Sequence, residues 1–188
     1  MALILASGSP RRAEILKNAG FDFIVRPTDV DETIPDGIVP CDAARELSRR
    51  KARAAAALYP EDVVLASDTL VAPDNVLLGK PADESDAARM LRLLSGRRHT
   101  VYTGVCVRGG DREVCETVPT EVEFIALTEE KIRRYIATGE PMDKAGAYGI
   151  QGRGGMFIRQ ICGDFYAVMG LPISRTAQIL EEFSIFPG

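Results

Sequence analysis

Residues 2–6 (ALILA) run without a break into Ser7-Gly8-Ser9-Pro10-Arg11-Arg12, and a helical pattern starts at once. An apolar run this short reads as a buried strand, and buried strands alternating with helices mark α/β architecture. Ser9 stands where an N-cap belongs and Pro10 at the first helical position. Ala13, Leu16 and Ala19 mark one face of the helix, and Gly20 ends it. The start of such a helix presents unpaired N–H groups and partial positive charge, which suits an anion. Two hydroxyls and two guanidiniums at the same spot favour phosphate. The competing reading is a solvated turn that binds nothing. The segment is neither a Walker A loop nor G-x-G-x-x-G. Gly79-Lys80 is followed by Pro81, and Asp74 stands where a P-loop needs its first glycine.

The same alternation continues along the chain. Residues 22–26 read as a second strand, followed by a polar stretch with Pro27, Pro35, Gly37 and Pro40 that holds Asp31-Glu32. Pro40 opens a long helix with Ala44, Leu47, Ala54, Ala55 and Leu58 on its apolar stripe, stopped by Tyr59-Pro60. Residues 63–67 read as a buried strand ending at Asp68-Thr69, and 70–72 and 76–78 as hairpin arms around Pro73-Asp74-Asn75. Asp83 caps a helix carrying Met90, Leu91 and Leu94, with Gly96 beyond its end. A hairpin of 100–107 and 113–125 follows, then a helix from Thr128 to Gly139. A glycine-rich stretch, 146–155, leads into a strand at 156–161, and a helix at 174–183 closes the chain. No repeat, low-complexity tract or interdomain linker interrupts this.

Length and charge narrow the function classes. A chain of 188 residues holds one sizeable core, in one or two lobes. With 46% hydrophobic and 27% charged residues it is neither fibrous nor disordered. A net charge of −4 argues against a nucleic-acid coat or an anionic-membrane binder, so any phosphate site must come from local clustering. No apolar run approaches the ~18 residues that cross a bilayer. Met1 leads into a strand with no signal-peptide pattern, and a cytoplasmic location is expected. Cys41, Cys106, Cys115 and Cys162 form no C-x-x-C pair, and the one histidine is His99, so a His/Cys zinc site is not expected. Cys106 and Cys115 can face each other across a hairpin, but reduced thiols are the expectation. His99 reads as a strand-start residue without a catalytic role.

Ser7, Arg11, Arg12, Glu32, Asp68, Lys80 and Gln151 all fall at strand ends or in loops, where ligands sit in open α/β sheets. Asp68 directly follows an apolar run and is expected to emerge at such an edge; the alternative is that it begins a turn. Lys51 lies inside a helix, in Ser48-Arg49-Arg50-Lys51-Ala52-Arg53, and by composition belongs to a solvated basic face.

Taken in order, these residues resemble the Maf family of nucleoside triphosphate pyrophosphatases, also called septum-formation inhibitors. The matching segments are Leu5-Ala6-Ser7-Gly8-Ser9-Pro10-Arg11-Arg12, Asp31-Glu32, Lys51-Ala52, Ser67-Asp68-Thr69, Gly79-Lys80-Pro81 and Leu94-Ser95-Gly96. Gly139-Glu140-Pro141, the run from Asp143 through Gly152, and Gly170-Leu171-Pro172 complete the set, which spans nearly the whole chain. Gln151, inside Ala-Gly-Ala-Tyr-Gly-Ile-Gln-Gly, resembles the branch acting on dTTP and UTP; the sister branch acting on 7-methyl-GTP lacks that run. Ser67 is expected to be neutral.

The resemblance implies a single domain over 1–188 with an inosine-triphosphatase-like fold: a mixed twisted sheet flanked by helices, in two lobes around a central cleft. It implies hydrolysis of a nucleoside triphosphate to the monophosphate and pyrophosphate with a divalent cation (Mg²⁺, Mn²⁺ or Co²⁺). Asp68 becomes the general base, Glu32 and Asp68 the metal ligands, and Ser7, Arg11, Arg12, Lys51 and Lys80 the phosphate binders. Arg11, Thr69 and Gln151 are tied to substrate choice. These residue types suit the chemistry. Arginine forks and lysine charges hold phosphates, and carboxylate oxygens suit hard cations. Phosphoryl transfer is mostly positioning and charge neutralisation. The glutamine amide can meet N3–H and a ring carbonyl of uracil or thymine, although a flipped amide suits cytosine equally. Nucleotide-pool housecleaning, a homodimer and a cell-division partner are further implications. Two other readings stand beside this one. A purine, inosine-type pyrophosphatase is disfavoured by the Gln151 run. A non-catalytic nucleotide-responsive regulator of septum formation is disfavoured by paired acids beside the basic set.

Overall fold

The computed structural model describes residues 1–35 and 37–188. Six strands form one mixed sheet: β1 (Leu3–Leu5), β2 (Ile24–Val25), β3 (Val63–Ala72), β4 (Arg98–Gly109), β5 (Arg112–Phe124) and β6 (Ile158–Cys162), in spatial order β2-β1-β3-β4-β5-β6. β2, β1 and β3 run parallel, whereas β3 through β6 pair antiparallel. Among the described residues six α-helices flank it: α1 (Pro10–Asn18), α2 (Pro40–Leu58), α3 (Glu84–Leu94), α4 (Glu129–Ile136), α5 (Phe165–Met169) and α6 (Ile173–Glu181). The expected mixed sheet flanked by helices is therefore present. Among the described residues no helix is long and apolar enough to cross a membrane.

Strand alternation divides the core. Ile4, Ala6, Val64, Ala66 and Cys106 point to one face, where Ala52 and Ala55 of α2 cover them. Further along that face Leu70 packs on Ala43, Ala44 and Leu47 of the same helix. On the opposite face Leu5, Leu65, Val105 and Val107 pack with Leu16, Ile179 and Leu180 of α1 and α6. A separate cluster there joins Val71, Val101 and Phe124 to Leu91 of α3 and Ile132 of α4. One face thus carries two core clusters, while α2 runs along the other.

Gly104 lets α2 lie this close. A Cβ built there would stand 2.1 Å from the Ala44 carbonyl oxygen and 2.9 Å from Ser48 Oγ. Since the helix backbone cannot yield locally, Gly104→Ala is expected to lower stability by about 3 kcal/mol or more. Chemical denaturation measures this; an unchanged midpoint would refute the close approach.

Three sequence expectations need correction. Cys106 and Cys115 are not free thiols but a disulfide; β4 and β5 pair so that these two residues stand directly opposite, with Cα atoms 4.0 Å apart. Cys41 and Cys162 remain free. The strand expected to stop at Asp68-Thr69 continues to Ala72, because β4 pairs with it from Val64↔Arg108 to Ala72↔Thr100. The second expected arm survives only as the bridge Val71↔Leu78. Helix α5 has no counterpart in the sequence pattern; Asp164 starts it by accepting N–H bonds from Tyr166 and Ala167.

Candidate active site

β3 outruns β1, and the charged residues gather at that step. Ala6 N–H still donates to Leu65 O at 2.8 Å, and the next contact along the same edge is Leu78 N–H to Val71 O, also 2.8 Å. Between them lie Asp68 and Thr69. Asp68 therefore emerges at an open lateral edge in mid-strand, not in a turn. As neighbours in a strand, Asp68 and Thr69 point to opposite faces.

On the α2 face Asp68 meets Lys51. The Lys51 ammonium bonds the Asp68 carboxylate and lies 2.8 Å from Glu32 Oε1. The Lys51 and Asp68 side chains are only 13% and 11% exposed, which removes Lys51 from the solvated face that composition favoured. The hydrogen bond from Lys51 holds the Glu32 carboxyl below its usual range against the cost of burial, and the charges of Lys80 and Arg12 add to that. Arg50, one residue earlier on α2, donates from Nη1 to the carbonyls of Asp31 (3.1 Å) and Thr33 (2.9 Å). The loop is thereby pinned on both sides of Glu32. Nothing in the local sequence pattern separates this arginine from its solvated neighbours.

On the other face the half-buried Arg12 organises the start of α1. Its Nε donates to Gly170 O (2.8 Å), Nη1 to Ser7 Oγ (3.1 Å) and Nη2 to Thr69 Oγ1 (3.3 Å). Burial lowers its pKa, opposed by Asp68 and Glu32 and assisted by Arg11. Thr69 Oγ1 also lies 3.1 Å from Thr103 Oγ1. Ser7 Oγ accepts the Ser9 N–H at 3.2 Å. Ser9 holds the N-cap position, but its side chain makes no capping bond. The first helical bond is Ala13 N–H to Ser9 O at 3.3 Å, so the N–H groups of Arg11 and Arg12 precede it and have no protein partner among the described residues. The buried Ser67 hydroxyl is 2.8 Å from both Gly104 O and Gly170 O, a structural role that its expected neutrality did not foresee.

Arg11 and Gln151 lie outside this cluster. Arg11 Nη1 pairs with Asp143 at 3.3 Å, and Asp143 pairs with Lys144 at 2.6 Å. Gln151 is exposed and its side chain bonds no described residue, so contact does not join it to Asp68 or Arg12. Lys80, also exposed, follows Gly79, whose carbonyl accepts the Gly146 N–H at 3.0 Å and ties that strap to the glycine-rich stretch. Glu140 is a residue whose role the motif Gly139-Glu140-Pro141 does not reveal. Its carboxylate accepts the N–H groups of Arg153 and Gly154 and the Tyr135 hydroxyl, each at 3.0 Å, and so braces the same stretch. Burial would raise the Glu140 pKa, but these three bonds outweigh it and the group is held low.

Glu32 and Asp68 converge on the single ammonium of Lys51, so their oxygens face a common point. Two hard carboxylates that converge in this way fit a divalent cation. A second grouping, Cys106, Glu113 and Cys115, brings possible ligand atoms together, but it does not fit. Its cysteines are joined, and Glu113 is held by Arg53 (2.8 Å, twice) and Arg108 (3.1 Å).

Fold and cleft define an α/β protein whose charged site opens where a central strand loses its parallel neighbour. The chain belongs to the Maf-like protein family, whose family model matches residues 2–183. A protein of Koribacter versatilis named dTTP/UTP pyrophosphatase is 50% identical over 185 residues, 98% of this chain and 96% of the relative. One of the same name from Symbiobacterium thermophilum is 50% identical over 188 residues, 99% and 97% of the two chains. The solved structure of the Staphylococcus aureus Ham1 protein aligns with a TM-score of 0.46 at 17% identity, covering 65% of this chain and 71% of that one.

Proposed function

We propose that this chain hydrolyses pyrimidine nucleoside triphosphates, dTTP and UTP, to the monophosphate and pyrophosphate, in the service of nucleotide-pool housecleaning. The observation that carries the reading is the convergence of Glu32, Asp68 and Lys51 at the open edge of β3, with Arg12 and the α1 start on the other side. The names of the half-identical relatives support the substrate class.

The residues divide the work by position. Ser7, Arg12 and the free N–H groups of α1 receive phosphate oxygens, joined by Arg11, Lys51 and Lys80 as the triphosphate spans the cleft. Glu32 and Asp68 would hold a divalent cation, which when bound would polarise the phosphoryl group and neutralise its charge. Asp68 takes a proton from a water as that oxygen bonds the α-phosphorus. The bond from the α-phosphorus to the α–β bridging oxygen breaks, and pyrophosphate leaves with its electron pair. Thr69 keeps Arg12 in place, and Gln151 reads the pyrimidine edge.

Product identity tests this directly. UTP with Mg²⁺ is expected to give UMP and pyrophosphate in equal amounts, with no phosphate released unless an inorganic pyrophosphatase is added. Stoichiometric UDP and phosphate would refute attack at the α-phosphorus.

A second test separates Lys51 from its helix neighbours. Lys51→Ala is expected to lower kcat/KM for UTP about 10-fold, the scale of one charge-assisted hydrogen bond. Arg53→Ala, which loses only its exposed pairing with Glu113, is expected to change it less than about 2-fold. Equal small effects would return Lys51 to a surface role. Arg50 is unsuited as a control because it pins the Glu32 loop.

A further inference from the structure

The one histidine of the chain is buried where the proposed chemistry does not reach. His99 is 4% exposed, its Nδ1 has no partner among the described residues, and its Nε2 lies 2.8 Å from the Tyr148 hydroxyl. Burial pushes its pKa down to about 4, so the ring is neutral near pH 7. An apolar side chain would fill this place without leaving a buried nitrogen unpaired. What the histidine adds is its bond to Tyr148, three residues before Gln151.

Backbone on the approach to Tyr148 is constrained as well. Gly146 and Ala147 both take left-handed conformations, at φ 69° and 58°. A Cβ on Gly146 would stand 2.9 Å from Val71 Cγ1, so only glycine fits against the sheet. Ala147 is fully buried and holds a conformation that a non-glycine residue adopts only when its surroundings impose it. The Tyr148 ring stacks edge-on with His99 and Phe124, at centroid distances of 5.4 and 4.7 Å. Just beyond it, the Gly149 N–H donates to the Tyr135 hydroxyl at 3.2 Å. The stretch that presents Gln151 is thus fastened to the sheet through Tyr148, while Gln151 itself stays exposed.

We propose that the His99–Tyr148 pair is a latch that fixes the 146–155 loop in the conformation that meets the pyrimidine base, making both positioning residues for substrate choice. This rests on the reading of that loop as the base-recognition element. A latch that only orients a recognition loop changes binding of the base. Turnover and phosphate binding are left alone.

Tyr148→Phe keeps the ring and its stacking and removes only the hydroxyl, leaving His99 Nε2 unpaired, and circular dichroism checks that the fold is retained. It is expected to raise KM for UTP and dTTP about 3–10-fold with kcat within about 2-fold, the range of one neutral hydrogen bond. The inhibition constant of inorganic tripolyphosphate, which reads the phosphate site alone, is expected to change less than about 2-fold. His99→Gln, which can still bond the tyrosine, is expected to come closer to wild type than His99→Leu. A Tyr148→Phe enzyme with unchanged KM overturns the latch, as does one in which KM and the tripolyphosphate constant rise together. Measuring Gln151→Ala alongside separates the two assignments. If only Gln151→Ala raises KM, the latch falls and the base-reading role of Gln151 stands. If only Tyr148→Phe raises it, the latch stands and the loop meets the base through its backbone. If neither does, both fall.

Discussion

Replacing Asp68 by asparagine is expected to lower kcat at least ~10²-fold while leaving the fold intact. The side chain keeps its size and can still meet Lys51, but it can no longer accept the proton of an attacking water or offer an anionic oxygen to a cation. Loss of a general base alone costs 10²–10⁴-fold, and weakened cation binding adds to it. Steady-state kinetics over a range of Mg²⁺ concentrations divides the two contributions. Excess Mg²⁺ recovers the part that comes from cation binding, and the remainder measures lost proton transfer. Circular dichroism guards against unfolding. Near-wild-type turnover would reduce Asp68 to a structural partner of Lys51, and the proposed mechanism would lose its base.

Gln151→Ala carries the next largest expected effect. A bidentate contact to a base is worth ~1–3 kcal/mol, so kcat/KM for UTP and dTTP is expected to fall roughly 10–100-fold. The triphosphate contacts proposed at Arg12 and the α1 start are untouched, so any slow hydrolysis of purine triphosphates is expected to fall much less, and the pyrimidine-to-purine ratio is expected to shrink. A uniform drop across all substrates would assign Gln151 to loop support. Discrimination would then rest with Arg11, Thr69 or the loop backbone.

What could be read from the sequence follows the range of the interactions involved. The strand entering Ser7-Gly8-Ser9-Pro10 and the periodicity of α2 are local patterns, and both appear where expected, at Leu3–Leu5 and Pro40–Leu58. Asp68 and Thr69 read locally as turn residues, whereas nine residues of β4, Thr100 to Arg108, pair with β3 and carry it past them. Lys51 reads as one of a run of solvated basic residues because a helix window cannot show that the loop carrying Glu32 folds back over it. The bond from Arg12 to Gly170 spans 158 positions, and the Arg50 bonds to the loop span 19 and 17. No motif records such contacts. The disulfide was legible as a geometric option, yet compartment reasoning set it aside; strand register decides which cysteines face each other. Arg11 and Gln151 stand apart from the Asp68 cluster, with the ion pair of Arg11 to Asp143 leading toward the glycine-rich stretch.

The single helix α2 lies against β3, β4 and β5 and touches the core on both sides of the cleft. With β3 equally continuous, the two sides of the cleft share a stiff spine and cannot swing about a hinge as separate domains do. The rest of the proposed cleft wall is made by short segments, the 76–80 strap and the 140–155 stretch, stitched together at Gly79 and Gly146. Lys51 and Asp68 ride on the spine, and Gln151 on a separate loop fastened to it through Tyr148. In such a layout the residues proposed to break the bond stand on different elements from those proposed to choose the base. Exchanging residues 146–155 between relatives should alter which nucleotide is chosen far more than how fast it is cut.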